Sequence, residues 1–225
     1  MKKTREPGYQ EALDLMQAEG LIPMGITTSW MWKYDPKRLT FVFSRYKFVA
    51  KMLAGKKNVL EIGCADAFAS QIVRHEVEAM TAVDFDPIFI EQAQAQINPD
   101  LPIKLIHHNM LEGPVPTDSM FDAAYCCDVF EHIDPASERD FLKNTLATLK
   151  SEGVLIMGIP SLQSQAYASE HNKQQHVNCK DGDEFKALMD EYFHNVFLFS
   201  MNDEVIHTGF SPMAHYLFVI CCGKK

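Results

Sequence analysis

From residue 58 onward, short apolar runs alternate with stretches of helical periodicity, and this rhythm limits the fold more than any other feature of the chain. The apolar runs predict five strands, at residues 58–62, 79–83, 103–107, 121–127 and 153–159. The periodic stretches predict helices at residues 67–75, 87–97 and 137–149. Strands that alternate with helices of this length form a parallel sheet with helices on both faces. The sequence therefore predicts an α/β domain.

The two ends of the chain depart from this rhythm. Residues 9–19 and 36–53 have helical periodicity, and Asp35 followed by Pro36 is a typical helix start. After a helix at 183–192, residues 196–200 and 216–222 predict two strands joined without a helix, which favours an antiparallel pair at a sheet edge. We expect residues 1–55 to form a helical segment that serves as a lid, and residues 56–225 to form the main domain.

Composition excludes several classes of protein. A 225-residue chain that is 47% hydrophobic has enough apolar residues for a sizeable core. The net charge of −9, with no run of Lys and Arg, is unfavourable for binding nucleic acid through its phosphates. No apolar run reaches the ~18 residues that a membrane span needs, and the six cysteines form no C-x-x-C motif. We therefore expect a reduced, cytoplasmic protein without a nucleic-acid or membrane partner; its oligomeric state stays open.

A strand leads through a glycine-containing turn into a helix at residues 59–70, where the sequence is VLEIGCADAFAS. In this arrangement backbone N–H groups and the helix N-terminus face a ligand. About twenty residues later, Asp84 ends the second strand. A carboxylate there accepts both ribose hydroxyls of a nucleoside cofactor, so the two features together predict such a cofactor.

Polar groups follow the third and fourth strands as well. His107-His108-Asn109-Met110 and Cys127-Asp128-Val129-Phe130-Glu131-His132 both come directly after a predicted strand. Because the carboxyl ends of parallel strands meet at one edge of the sheet, these loops should line a single crevice.

The segments VLEIGCADA, VDFDP, HNML, FDAAYCCDVFEHI and LKSEGVLIMGIPS resemble those of class I S-adenosylmethionine-dependent methyltransferases, in the group of small-molecule and quinone O-methyltransferases. The resemblance covers roughly residues 36–222. It implies a Rossmann-like, mostly parallel sheet of seven strands whose last strand is antiparallel, with S-adenosylmethionine as the cofactor. One departure concerns the glycine turn, where the family usually has G-x-G-x-G and this chain has Gly63, Ala65 and Ala67.

The resemblance also implies roles for individual residues. Arg38 or Arg45 would hold the cofactor carboxylate, and we select Arg45. Asp84 would bind the ribose, and Phe85, Asn109 and Met110 would surround the adenine. The remaining implied cofactor residues, which would shape the methionine end, are Glu61, Gly63, Ala65 and Cys127.

The acceptor site is expected to involve His132, whose ordinary pKa of ~6.5 suits a general base that removes a hydroxyl proton. The alternative is that His132 only forms a pocket wall. His176, Asn178 and Trp32 are further predicted substrate contacts. We expect no metal; the alternative is a divalent cation held by Asp128, Glu131, His132 and His176, because relatives with a Glu-x-x-Glu-His element bind one there.

The leading hypothesis is methyl transfer to a hydroxyl of a small polar acceptor, such as a sugar or another metabolite. No Asn-Pro-Pro-Tyr motif follows the fourth strand, which disfavours methylation of base amines or glutamine amides. Two alternatives stay open: a catalytically silent binding module with this fold, and a nicotinamide-dependent oxidoreductase. The first would keep cofactor binding without transfer, and the second would bind NADH.

Overall fold

The computed structural model describes residues 2–225, which fold around one sheet of eight strands. The strands are β1 (Val59–Ile62), β2 (Met80–Asp84), β3 (Lys104–His107), β4 (Phe121–Cys127), β5 (Leu149–Pro160), β6 (Phe193–Asn202), β7 (Val205–His207) and β8 (Tyr216–Lys224). Their order across the sheet is β3-β2-β1-β4-β5-β8-β6-β7.

The first five strands pair in parallel, and β8 lies antiparallel between β5 and β6. The predicted α/β fold class, its mostly parallel sheet and its antiparallel C-terminal strands are therefore confirmed. The strand count differs by one, because the chain turns back after β6 and adds the three-residue strand β7 to the sheet edge.

Helices cover both faces of the sheet and precede it at the N-terminus. They are α1 (Gln10–Glu19), α2 (Ile26–Tyr34), α3 (Pro36–Leu53), α4 (Ser70–Arg74), α5 (Pro87–Gln94), α6 (Glu138–Thr148), α7 (Glu170–Gln175) and α8 (Gly182–Asp190). Helix α3 has the predicted bounds. Asp35 occupies its N-cap position, but only the Asp35 backbone oxygen takes part, by accepting from the Arg38 N–H at 3.0 Å, so the expected side-chain cap is not formed.

Two apolar clusters pack the faces of the sheet. One contains Phe130, Phe141 and Phe185. The other contains Tyr46 of α3 with Tyr125, and it includes most of the buried side of α3. Strands β1 and β2 are buried along their whole length, as expected for central strands of a covered parallel sheet.

Three helical features differ from the sequence prediction. Helix α4 begins at Ser70 rather than at residue 67, because Ala67 has a φ of 54° and cannot belong to a right-handed helix. Helix α2 lies in the N-terminal segment and α7 in the long polar stretch after β5, and neither was predicted. Within residues 2–225, no helix combines the length and the apolar character needed to cross a membrane.

Candidate functional site

The strand order reverses between β1 and β4. Strands β2 and β3 are added on one side of β1, and β4 and β5 are added on the other. A crevice at the carboxyl ends of the strands is expected at such a point. Three adjoining cavities lie there, which we call the narrow, inner and outer cavities, with volumes of about 50, 170 and 780 Å³. The narrow and inner cavities share Gly63, and the inner and outer cavities share Arg38 and Asp128. The three cavities are therefore neighbours along the carboxyl edge of the sheet, with shared residues in their walls.

The loop after β1 separates the narrow cavity from the inner one. Gly63 has a φ of 75°, and a Cβ at this position would lie 2.3 Å from Val129 Cγ2, so only glycine fits. Ala65 and Ala67 also adopt positive φ, at 46° and 54°. The loop therefore keeps the backbone of a glycine-rich turn even though two of its positions are alanine.

Asp84 holds this loop against the end of β2. Its Oδ2 accepts from the Ala65 N–H at 2.8 Å, and its Oδ1 accepts from the Asp86 N–H at 3.0 Å. The side chain lines the narrow cavity with Phe85, Asn109 and Met110. Each Asp84 oxygen keeps a second lone pair, so the carboxylate can still accept a ligand hydroxyl.

Asn109 is partly engaged by its own loop. Its Oδ1 accepts from the Leu111 N–H at 3.0 Å, and its Nδ2 lies 3.3 Å from Glu112 Oε1. Met110 is buried and Phe85 is largely exposed. The narrow cavity is thus a mainly apolar space whose lining includes the Asp84 carboxylate and the Asn109 amide.

Glu61 is buried and lines none of the three cavities, although its partner Tyr46 lines the inner one. Its Oε1 accepts from the Tyr46 hydroxyl at 2.8 Å, and the hydroxyls of Ser70 and Tyr125 also face the carboxyl group. Burial raises the pKa of the Glu61 carboxyl from 4.5 to about 7. The inner cavity itself is lined by Ala65 and Cys127, and Cys127 is a buried, protonated thiol whose pKa is raised by burial.

Arg45 forms a partly buried ion pair at the end of β4. Its Nη1 lies 2.8 and 2.6 Å from the two carboxylate oxygens of Asp128, and its guanidinium carbon is 3.7 Å from the centre of the Tyr216 ring. Arg45 lines the outer cavity, whereas Arg38 lines both the inner and the outer ones and makes no ion pair among the described residues. Of the two arginines, Arg38 is the one free to meet a ligand carboxylate.

The outer cavity contains Glu131, His132 and His176. The Gln175 carbonyl accepts from His132 Nδ1 at 3.0 Å, and Gln165 Oε1 accepts from His176 Nδ1 at 3.1 Å. These bonds place the proton of each neutral ring on Nδ1 and leave the Nε2 lone pairs free.

The three side chains also meet one another. His132 Nε2 lies 3.9 Å from Glu131 Oε1, and one potential ligand atom of each of the three residues falls within 4.8 Å of the others. Burial raises the pKa of the Glu131 carboxyl well above its ordinary value, and burial lowers the pKa of the His176 imidazole. The cluster therefore offers unprotonated imidazole nitrogens beside a carboxyl group, which suits either proton transfer or a cation.

Two predicted substrate residues lie outside the cavities. Trp32 is exposed on α2, and Asn178 is buried, where its Nδ2 donates to Glu138 Oε2 at 3.2 Å and its Oδ1 accepts from Lys180. The outer cavity instead includes Phe41, Gln163 and His215, which the sequence did not single out. The position of His215 just before the last predicted strand gave no signal that the chain returns to this cavity.

The comparisons with known proteins agree with this arrangement. The family model for a methyltransferase domain matches residues 59–153, which include the loops after β1, β2 and β4. The chain is 32% identical over 141 residues to a mitochondrial ubiquinone biosynthesis O-methyltransferase of Schizosaccharomyces pombe, and the match covers 58% of this chain and 50% of that protein. The chain is therefore similar to S-adenosylmethionine-dependent methyltransferases over the part that carries the cavities.

Solved structures place the methyltransferase fold along nearly the whole chain. An N-methyltransferase, NodS, from Bradyrhizobium japonicum in complex with S-adenosyl-L-homocysteine has a TM-score of 0.61 at 16% identity, covering 95% of this chain and 97% of that one. A small RNA methyltransferase has a TM-score of 0.65 at 14% identity, covering 80% of this chain and 25% of that one. The predicted resemblance to S-adenosylmethionine-dependent methyltransferases is confirmed, and the cofactor it implies is supported by the S-adenosyl-L-homocysteine bound in NodS. This chain spans about half the length, or less, of the curated relatives it matches.

Proposed function

We propose that this methyltransferase transfers the methyl group of S-adenosylmethionine to a hydroxyl of a small polar acceptor. The observation that carries the proposal is the row of three neighbouring cavities, which begins at Asp84, continues beside Gly63 and ends at the cluster around His132. When bound, the cofactor supplies a sulfonium-activated methyl group.

The chain's own residues match the parts of this cofactor in chemical type. Asp84 would accept the ribose hydroxyls, and Phe85, Asn109 and Met110 would border the adenine at the narrow cavity, which must widen from its volume of about 50 Å³ to admit the ring. We assign the ammonium group to Glu61, a buried carboxylate whose partner Tyr46 lines the inner cavity. We assign the cofactor carboxylate to Arg38 instead of Arg45, because Asp128 occupies the Arg45 guanidinium.

The acceptor would bind in the outer cavity, which is the largest of the three and rich in polar side chains. His132 Nε2 would take the proton of the acceptor hydroxyl, since Nδ1 already donates to a carbonyl and fixes the ring. His176 would orient the same hydroxyl. The rest of the rate enhancement would come from alignment, because the methyl group is activated before it meets the acceptor.

A second mechanism is favoured by the convergence of Glu131, His132 and His176 on one point. A divalent cation held by these three residues would act as a Lewis acid on the acceptor oxygen. Asp128, part of the four-residue set expected from sequence, would stay outside this set because both of its oxygens face Arg45. Two imidazoles with one carboxylate would favour a transition metal over Mg²⁺ or Ca²⁺.

Calorimetric titration with S-adenosyl-L-homocysteine, beside NADH, tests the proposed cofactor. We expect S-adenosyl-L-homocysteine to bind with micromolar affinity and NADH not to bind. Binding of NADH alone would refute the proposal and indicate an oxidoreductase. A screen of hydroxylated acceptors with a radiolabelled methyl donor then tests transfer. In that assay His132→Ala should lower turnover with little change in cofactor affinity, and full activity in the presence of a chelator would eliminate the cation.

A further inference from the structure

The N-terminal helix α2 is joined to the loop after β1 through a single buried carboxylate. Asp66, in this loop, is 3% exposed. Its Oδ2 accepts from the Thr27 hydroxyl at 2.6 Å and from the Thr28 N–H at 2.9 Å, and its Oδ1 accepts from the Thr28 hydroxyl at 3.1 Å. Asp66 therefore caps the first turn of a helix that lies almost forty residues away in sequence, with the favourable sign for the helix dipole.

The loop conformation directs this carboxylate away from the sheet and toward α2. Ala65 and Ala67, on either side of Asp66, both have positive φ, so the chain reverses locally around it. Such a backbone is costly for alanine and persists only when its surroundings determine it. Two sets of hydrogen bonds fix this loop backbone. The Ala65 N–H donates to Asp84 on one side, and Asp66 accepts from α2 on the other.

The fit between helix and loop is also tight at the backbone. Gly25 immediately precedes α2, and a Cβ at this position would lie 2.2 Å from Asp66 Cβ. Any larger residue at position 25 would push α2 and the loop apart. The contact therefore depends on glycine on one side and on an acidic side chain on the other.

Helix α2 forms one wall of the inner cavity. Thr27, Thr28 and Met31 line it, facing Gly63 and Ala65 across the space. A ligand in this cavity would therefore lie between the loop and α2, beside the hydrogen bonds of Asp66.

We propose that Asp66 is a positioning residue that latches α2 over the methionine end of the cofactor, so that S-adenosylmethionine enters and its product leaves when the Asp66 contacts with Thr27 and Thr28 break. This inference rests on the proposed function for the identity of the ligand. It does not need Asp66 to touch the cofactor.

Intrinsic fluorescence offers a direct probe. The chain has two tryptophans, Trp30 and Trp32, and both lie on α2. Stopped-flow tryptophan fluorescence therefore follows α2 while S-adenosyl-L-homocysteine binds and dissociates. Asp66→Asn should raise the dissociation rate constant about tenfold or more, because it removes the charge from three hydrogen bonds.

A second variant separates the latch from direct contact with the ligand. Gly25→Ala leaves the cavity lining unchanged but forces α2 away from Asp66, so it should raise the dissociation rate in the same direction as Asp66→Asn. Ser29→Ala is the matched control, because the Ser29 hydroxyl on the same helix donates to the Met24 carbonyl instead of the loop. It should dissociate at the wild-type rate.

Hydrogen–deuterium exchange of the ligand-free proteins tests the latch independently of any ligand. The amides of α2 should exchange faster in Asp66→Asn and Gly25→Ala than in wild type or Ser29→Ala, while the amides of β4 and β5 stay protected. Wild-type exchange and wild-type dissociation in both latch variants would overturn the inference. Faster α2 exchange in a protein that fails to bind S-adenosyl-L-homocysteine would instead refute the cofactor assignment and, with it, a latch that controls the cofactor.

Discussion

The strain at Ala65 and Ala67 can be measured by replacing each alanine with glycine. Both residues have left-handed backbones, at φ of 46° and 54°. This conformation costs an alanine about 1–2 kcal/mol that a glycine does not incur. Against this gain, glycine raises the entropy of the unfolded chain, which lowers stability by about 0.4–1 kcal/mol.

The two positions differ in what the methyl group contributes. Ala65 is partly exposed at the cavity, whereas Ala67 is 3% exposed and packs in the apolar cluster that includes Tyr46. Losing a buried methyl costs about 0.8 kcal/mol more. We therefore expect Ala65→Gly to stabilise the protein by about 0.5–1 kcal/mol and Ala67→Gly to leave its stability nearly unchanged.

Urea unfolding of the three proteins, followed by circular dichroism, measures these differences. Ala95→Gly is the matched control, since Ala95 is exposed just after α5 with an ordinary φ of −72°, so glycine there should cost only the unfolded-chain entropy of about 0.4–1 kcal/mol. If Ala65→Gly loses as much stability as Ala95→Gly, the positive φ carries no strain and the reasoning is refuted.

Three further predictions concern the sheet and the cofactor side of the site. The pKa of Glu61 is raised from 4.5 to about 7, so its carboxyl stays protonated in the folded protein across this pH range while it ionises in the unfolded chain. The free energy of unfolding therefore falls by up to about 3 kcal/mol as the pH rises through this range. Glu61→Gln should remove that loss, so urea unfolding should show it gaining on wild type between pH 5 and pH 8. Gly158→Ala should cost about 1–3 kcal/mol, because its Cβ would lie 2.6 Å from Phe218 Cε1 and 2.7 Å from the Tyr216 hydroxyl; an unchanged urea midpoint would contradict this. Asp84→Ala should weaken S-adenosyl-L-homocysteine binding by about 1.5–3 kcal/mol in calorimetry, and unchanged affinity would remove the ribose assignment.

The strands could be predicted from sequence because each buried strand is a short run of apolar residues. All residues of 121–127 except Asp122 are apolar, and β4 has the same bounds as this run. Helix α3 was equally predictable, since Pro36 marks its start and its apolar residues recur along one face. In such elements the apolar residues are the buried ones, so the sequence pattern is enough to predict the bounds of the element.

The cavity walls could not be predicted in the same way. Helix α2 has little apolar periodicity, and its first turn is stabilised by Asp66, which only the folded chain brings near. The positive φ of Ala67 likewise contradicts its local preference and moved the start of α4 by three residues. His215 reaches the outer cavity because β8 is inserted beside β5, and no short-range signal records that insertion.

The end of β4 shows how one residue can join both parts of the site. Asp128 has a φ of 58°, which turns the chain out of the sheet, and its N–H is shared between the Gly158 carbonyl and the Tyr216 hydroxyl at 3.2 Å each. Arg45 fixes the carboxylate while stacking on the same Tyr216 ring. Since Asp128 borders the inner and the outer cavity, these contacts hold the boundary across which the methyl group would pass. We therefore propose that Arg45 sets this boundary, while Arg38 remains the residue that we propose for the cofactor carboxylate.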